Sequence, residues 1–153
     1  EIGFKGALVF HGASGNGQKG MDELSPVGTN LVAELCSDGS IREFRISPQD
    51  LGVTKDARLE EIASGHCVRE EAQRLARIVT GRDKGTLYET VCLNAAPIFY
   101  ISGAVSSLGQ GMDKSRALID SGRVLDRLYQ WVGSQNRDPR AGTARLEALL
   151  ESV

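Results

Sequence analysis

The chain has 153 residues, 18 basic and 20 acidic side chains, 41% hydrophobic residues and a formal net charge of −2. That is the composition of one globular domain able to bury a core without disulfides or a structural metal. Mixed charges of nearly balanced sign exclude a general electrostatic reason to bind nucleic acid or an anionic membrane. The longest apolar run, 91–101, is broken by Asn94 and falls short of the roughly 20 residues that cross a bilayer.

Cys36, Cys67 and Cys92 are odd in number, far apart and form no C-x-x-C pair. They read as reduced, buried thiols of a cytoplasmic protein. The first residues lack the basic flank, apolar stretch and cleavage site of a signal peptide. The chain does not begin with Met, and the expectation is a removed start or a piece of something longer.

Ala7-Leu8-Val9-Phe10 is a continuous apolar run ending in His11-Gly12, the pattern of a fully buried central strand in a parallel sheet covered on both faces. Residues 12–20 are glycine-rich and polar, and are expected to form a mobile surface loop. Two alternating runs, 29–35 and 41–46, flank Ser37-Asp38-Gly39-Ser40, where Asp-Gly predicts a β-hairpin. Leu31, Ala33 and Leu35 would share one face of it. Ser47-Pro48 ends the second strand, because proline cannot donate to a ladder.

From residue 59 the period becomes helical. Val68, Ala72, Leu75, Ile78 and Val79 recur at spacings of three and four, predicting an amphipathic helix that stops before Gly81. Residues 86–102 form the buried helix, with Pro97 as an internal defect that kinks it unless packing absorbs the lost hydrogen bond. Helices over 107–121 and 123–131 follow. A linker spans 136–140 and a short terminal helix 143–150. The whole reads as α/β, with a first unit over 1–134 and a tail over 135–153.

Several patterns invite chemistry. Gly15 to Gly20 fits G-x-G-x-x-G, but Pro26 and Gly28 cut short the helix that a dinucleotide fingerprint requires. Lys19 is followed by Gly20, which breaks the phosphate-loop pattern as well. Asp22 and Glu23 are adjacent carboxylates that a loop could converge on Mg²⁺, an ion often held by one or two carboxylates plus substrate phosphates; an ordinary solvated acidic pair is the alternative. His11 stands at a strand end, where open α/β sheets bind ligands, although a hydrogen-bonded structural histidine would look the same. His66 carries no pattern. Arg69, Arg74, Arg77, Arg82 and Lys84 are interrupted by Glu70, Glu71 and Asp83, as on a solvated helix face.

The segments Ala7-Leu8-Val9-Phe10-His11-Gly12, Gly20-Met21-Asp22-Glu23-Leu24-Ser25-Pro26-Val27-Gly28-Thr29, Val32-Ala33-Glu34-Leu35 and Ile46-Ser47-Pro48-Gln49-Asp50-Leu51-Gly52 together resemble the anthranilate phosphoribosyltransferases. Leu93-Asn94-Ala95-Ala96 and Ala117-Leu118-Ile119-Asp120-Ser121-Gly122 extend the likeness toward residue 131. It covers most of this chain and the C-terminal half of the family's chain. The resemblance implies part of a large α/β phosphoribosyltransferase domain, of the kind shared with nucleoside phosphorylases. It implies transfer of phosphoribose from phosphoribosyl pyrophosphate to anthranilate in tryptophan biosynthesis. Mg²⁺ on the pair matching Asp22 and Glu23, an N-terminal half of the same protein as partner, and a homodimer are implied as well. The family's glycine-rich pyrophosphate segment and anthranilate-holding residues have no counterpart here, so the chain alone is expected to be inactive. The alternatives are a relative of the same fold that has lost the reaction and is non-catalytic or binds nucleic acid or another partner, and a pyrimidine nucleoside phosphorylase.

Overall fold

The computed structural model describes residues 3–14, 20–54, 56–65, 67–135 and 137–153. Four strands form one sheet: β1 (Ala7–Ala13), β2 (Gly20–Met21), β3 (Asn30–Leu35) and β4 (Ile41–Ile46), in the spatial order β2-β1-β3-β4. Every pairing is antiparallel. The predicted hairpin is present, with Leu35 opposite Ile41. Gly39 takes the left-handed conformation at φ 85° that Asp-Gly turns need, and Asp38 Oδ1 accepts from the Ser40 N–H at 2.9 Å.

The fully buried parallel strand expected at residues 7–10 is corrected on two counts. β1 is interior but antiparallel to both neighbours, and the described residues cover only one face of the sheet. Leu8, Phe10, Val32 and Ile46 point into the core. On the other face Val9 is 65% exposed and Leu31 41%. Because side chains alternate along a strand, the apolar residues of β1 and β3 are shared between two faces, and this chain supplies a layer for one. The edge of β1 away from β3 is paired only at Gly12 and Ala13, leaving 7–11 without a strand on that side among the described residues.

A 3-10 turn over Pro48–Leu51 and six α-helices complete the described chain: α1 (Leu59–Ile62), α2 (Val68–Val79), α3 (Thr86–Ile101), α4 (Leu108–Asp120), α5 (Arg123–Gln135) and α6 (Pro139–Glu151). The core joins the covered sheet face to α2, α3 and α4 through Leu24, Ile78, Cys92, Leu93, Ala96 and Met112. α3 and α4 approach closely at Gly111, where a Cβ would lie 2.6 Å from the Ala96 carbonyl oxygen. α3 runs through Pro97, which is buried, so the proline does not end the helix. α6 begins at Pro139, earlier than the sequence suggests. Asp138 caps it by accepting from the Arg140 and Ala141 N–H groups at 3.0 and 3.1 Å, and proline is well placed in a first turn.

Two other readings change. Val68 is 87% exposed and Leu75 is also exposed, so the buried stripe of α2 narrows to Ala76, Ile78 and Val79. Of the cysteines, only Cys92 is buried and Cys67 is exposed; burial pushes the Cys92 thiol up to about 11.

One buried charge ties sheet to helix. Glu34 of β3 accepts from the Arg42 guanidinium at 2.5 Å and from the Tyr100 hydroxyl at 2.8 Å. The Arg42 hydrogen bond holds this carboxyl below its ordinary value of 4.5. A group depressed in the folded state stabilises above its unfolded value and loses that contribution as pH falls through the folded one. Stability measured by urea unfolding between pH 6 and pH 3 is therefore expected to fall below about pH 4.5. Glu34→Gln should remove that part of the acid dependence; an unchanged acid limb would deny Glu34 the role.

Candidate metal centre

Asp22 and Glu23 form a two-residue bridge between two anchored points. On one side Met21 of β2 pairs with Gly12 of β1. On the other Leu24 is fully buried in the core. Two asparagines grip the main chain there. Asn94 of α3 accepts the Leu24 N–H at 2.8 Å and donates to the Leu24 carbonyl at 2.9 Å. Asn30 of β3 accepts the Ser25 N–H at 2.7 Å and donates to the carbonyls of Ser25 and Gly28 at 3.1 and 3.2 Å. A carboxamide matches the donor and acceptor of a peptide group, so each side chain satisfies backbone groups that burial would otherwise strand.

Gly12 holds the bridge from the sheet. A Cβ there would stand 2.4 Å from the Glu23 carbonyl oxygen and 2.9 Å from the Ser25 nitrogen. Only glycine permits β1 to pass this close beneath the bridge.

Both acidic residues are exposed, and no described side chain pairs with either carboxylate. Carboxylate oxygens free of cationic partners are hard donors suited to Mg²⁺. Among the described residues no group of three or more His, Cys, Asp and Glu side chains could enclose a metal. A cation on Asp22 and Glu23 would complete its shell with water or with oxygens of a bound phosphate compound, as Mg²⁺ commonly does. The donor set fits that ion.

The remaining sequence candidates fall elsewhere. The His11 imidazole packs against Gly20, where a Cβ would come within 2.0 Å of its Cε1 atom, so it braces the β1–β2 junction. Gly20 continues into β2 and not into a helix, which leaves the dinucleotide pattern without its helix; residues 15–19 and His66 lie outside the described residues. Of the candidate basic stripe, Arg74 bonds the carbonyls of Ala63 and Glu61. Arg82 bonds those of Leu150 and Val153, and Lys84 pairs with Asp120 at 2.7 Å. These cations knit the fold. Asn94 escaped the sequence reading as a functional residue; its one signal is a polar side chain inside the most apolar of the described helices.

Residues 1–125 match the model of the glycosyl transferase family, a/b domain. The chain belongs to this family. An anthranilate phosphoribosyltransferase of Nitrosospira multiformis is 37% identical over 139 residues, covering 91% of this chain and 38% of that protein. The crystal structure of anthranilate phosphoribosyltransferase from Thermus thermophilus superposes with a TM-score of 0.65 at 29% identity, over 95% of this chain and 36% of that one. The Saccharomyces cerevisiae enzyme, solved in complex with PRPP and Mg, shares the fold with a TM-score of 0.63 at 19% identity, over 95% of this chain and 35% of its own. This member of the glycosyl transferase family thus spans a little over a third of the length of the relatives it matches. No described helix is long and apolar enough to cross a membrane.

Proposed function

We propose that this chain is the C-terminal part of an anthranilate phosphoribosyltransferase, with 1–134 in the large α/β domain and 135–153 as its tail, and that Asp22 and Glu23 are its Mg²⁺ ligands. The observation that carries the reading is the anchored acidic bridge: two exposed carboxylates, unpaired among the described residues, on backbone fixed at both ends, in a chain whose relatives bear that name. In the reaction the bond from ribose C1 to pyrophosphate breaks, the anthranilate nitrogen bonds to C1, and the nitrogen then gives up a proton. A metal ion bound here would neutralise negative charge on the departing pyrophosphate. Asp22 and Glu23 act as electrostatic anchors and take up no proton. The reading implies no covalent enzyme intermediate.

The N-terminal half of the same protein is the partner that completes the site. The uncovered sheet face with Val9 and Leu31, and the unpaired edge of β1 over 7–11, are the surfaces on which a second layer and a further strand would fit. Assembly of the complete enzyme as a homodimer and a cytoplasmic location accompany the reading.

The test is an assay of anthranilate consumption with phosphoribosyl pyrophosphate and Mg²⁺, run on the complete protein and on residues 1–153 alone. Turnover by the first and little or none by the second is the expected pair of results. Absence of Mg²⁺-dependent consumption by the complete protein would overturn the assignment, and thymidine with phosphate in a parallel assay would then test the nucleoside phosphorylase chemistry.

A further inference from the structure

We propose that Asn94 is a positioning residue for the acidic pair, setting from helix α3 the direction in which Asp22 and Glu23 present their oxygens; the proposal rests on their reading as metal ligands. The bridge has two ends. Its β2 end is held by strand pairing at Met21, and its other end by Asn94, 70 positions away in sequence, through both polar groups of Leu24. The Asn94 Nδ2 also donates to the Thr90 carbonyl at 3.1 Å, so its carboxamide is oriented by its own helix. Thr90 is itself buried and bonded to Thr86. The path from a rigid helix to the residue beside Glu23 is therefore one side chain long.

Asn30 provides the contrast. It is fully buried and grips Ser25, but its other contacts run to the carbonyls of Gly28 and, at 3.4 Å, Ile46. It closes the turn that leads into β3, downstream of the bridge. Loss of Asn30 disturbs that turn, whereas loss of Asn94 frees the end of the bridge itself. The chemistry of the Asn94 contact is also specific. An aspartate of the same shape could still accept from the Leu24 N–H, but it has no donor for the carbonyls of Leu24 and Thr90 and would set negative charge against both oxygens.

The experiment uses the complete enzyme carrying this segment. Mn²⁺ binding in the presence of pyrophosphate is followed by electron paramagnetic resonance, alongside the Mg²⁺ concentration for half-maximal rate and thermal unfolding. Asn94→Asp is expected to weaken Mn²⁺ binding about tenfold or more and to raise the Mg²⁺ requirement in parallel, with the KM for anthranilate unchanged. Asn30→Ala should lower the melting temperature without moving the metal affinity. Should Asn94→Asp not fold, Asn94→Ala, which admits water to the Leu24 peptide, carries the same expectation. A folded Asn94 variant with wild-type Mn²⁺ affinity, or an Asn30 variant that weakens the metal equally, overturns the positioning role. The same titration on Asp22→Asn with Glu23→Gln separates the two levels. Unchanged Mn²⁺ binding there sinks the metal reading; lost binding there, with the Asn94 variant unaffected, sinks this proposal alone.

Discussion

In the complete enzyme, Asp22→Ala combined with Glu23→Ala is expected to lower the Mg²⁺-dependent rate by about 100-fold or more, while the unfolding free energy stays within about 0.5 kcal/mol of the parent. The two halves of that expectation come from different features. The carboxylates are exposed and unpaired among the described residues, so removing them breaks no ion pair and opens no cavity. Their backbone is held through Gly12 and through the grip of Asn94 on Leu24, neither of which pairs with a carboxylate, so the bridge keeps its path in the variant. A metal that neutralises a leaving pyrophosphate contributes several kcal/mol to the transition state, and the loss falls on the rate. Steady-state kinetics with urea unfolding of the same preparation checks both halves. A near-normal rate in a folded double variant would remove the pair from the mechanism, and a large drop in stability would show that the acids hold the fold.

How far the sequence discloses this arrangement differs from element to element. The hairpin and the span of α2 are local: Asp38-Gly39 needs one left-handed residue, and Val68–Val79 carries its own period and stop. The direction of β1 is not local. An apolar run bounded by glycine is compatible with parallel or antiparallel neighbours, and only the distant β1–β3 pairing, from Ala7 with Leu35 to His11 with Leu31, decides it. The faces of β3 mislead for a related reason. Leu31, Ala33 and Leu35 are the more apolar set, yet Asn30, Val32 and Glu34 are buried, because Asn30 and Glu34 find partners in Ser25, Arg42 and Tyr100 that lie elsewhere in the chain. The acidic pair was legible as residue types, and the resemblance gave it a role. The asparagine that holds it was not, since a contact between residues 24 and 94 leaves no trace in spacing.

Gly12→Ala should damage both the fold and the rate. The added methyl would meet backbone, namely the Glu23 carbonyl at 2.4 Å and the Ser25 nitrogen at 2.9 Å, together with the Ser25 Cβ at 2.8 Å. None of these can rotate away as the tip of a long side chain could. Either β1 retreats from the sheet or the bridge lifts, and the first costs ladder hydrogen bonds to β3 while the second strains the grips on Leu24 and Ser25. Overpacking of this kind costs about 1–3 kcal/mol, and a shift of about 1 Å in a reacting constellation can cost about 100-fold in rate. Gly133→Ala is the control: it adds the same methyl in α5, where nothing lies within 4 Å, and removal of a helix-interior glycine should stabilise by about 0.5–1 kcal/mol. Melting curves and Mg²⁺ titrations of the rate in the complete enzyme distinguish the two. If Gly12→Ala keeps both its melting temperature and its rate, the bridge is not pressed against β1, and the rigidity that the metal site depends on has to come from α3 alone.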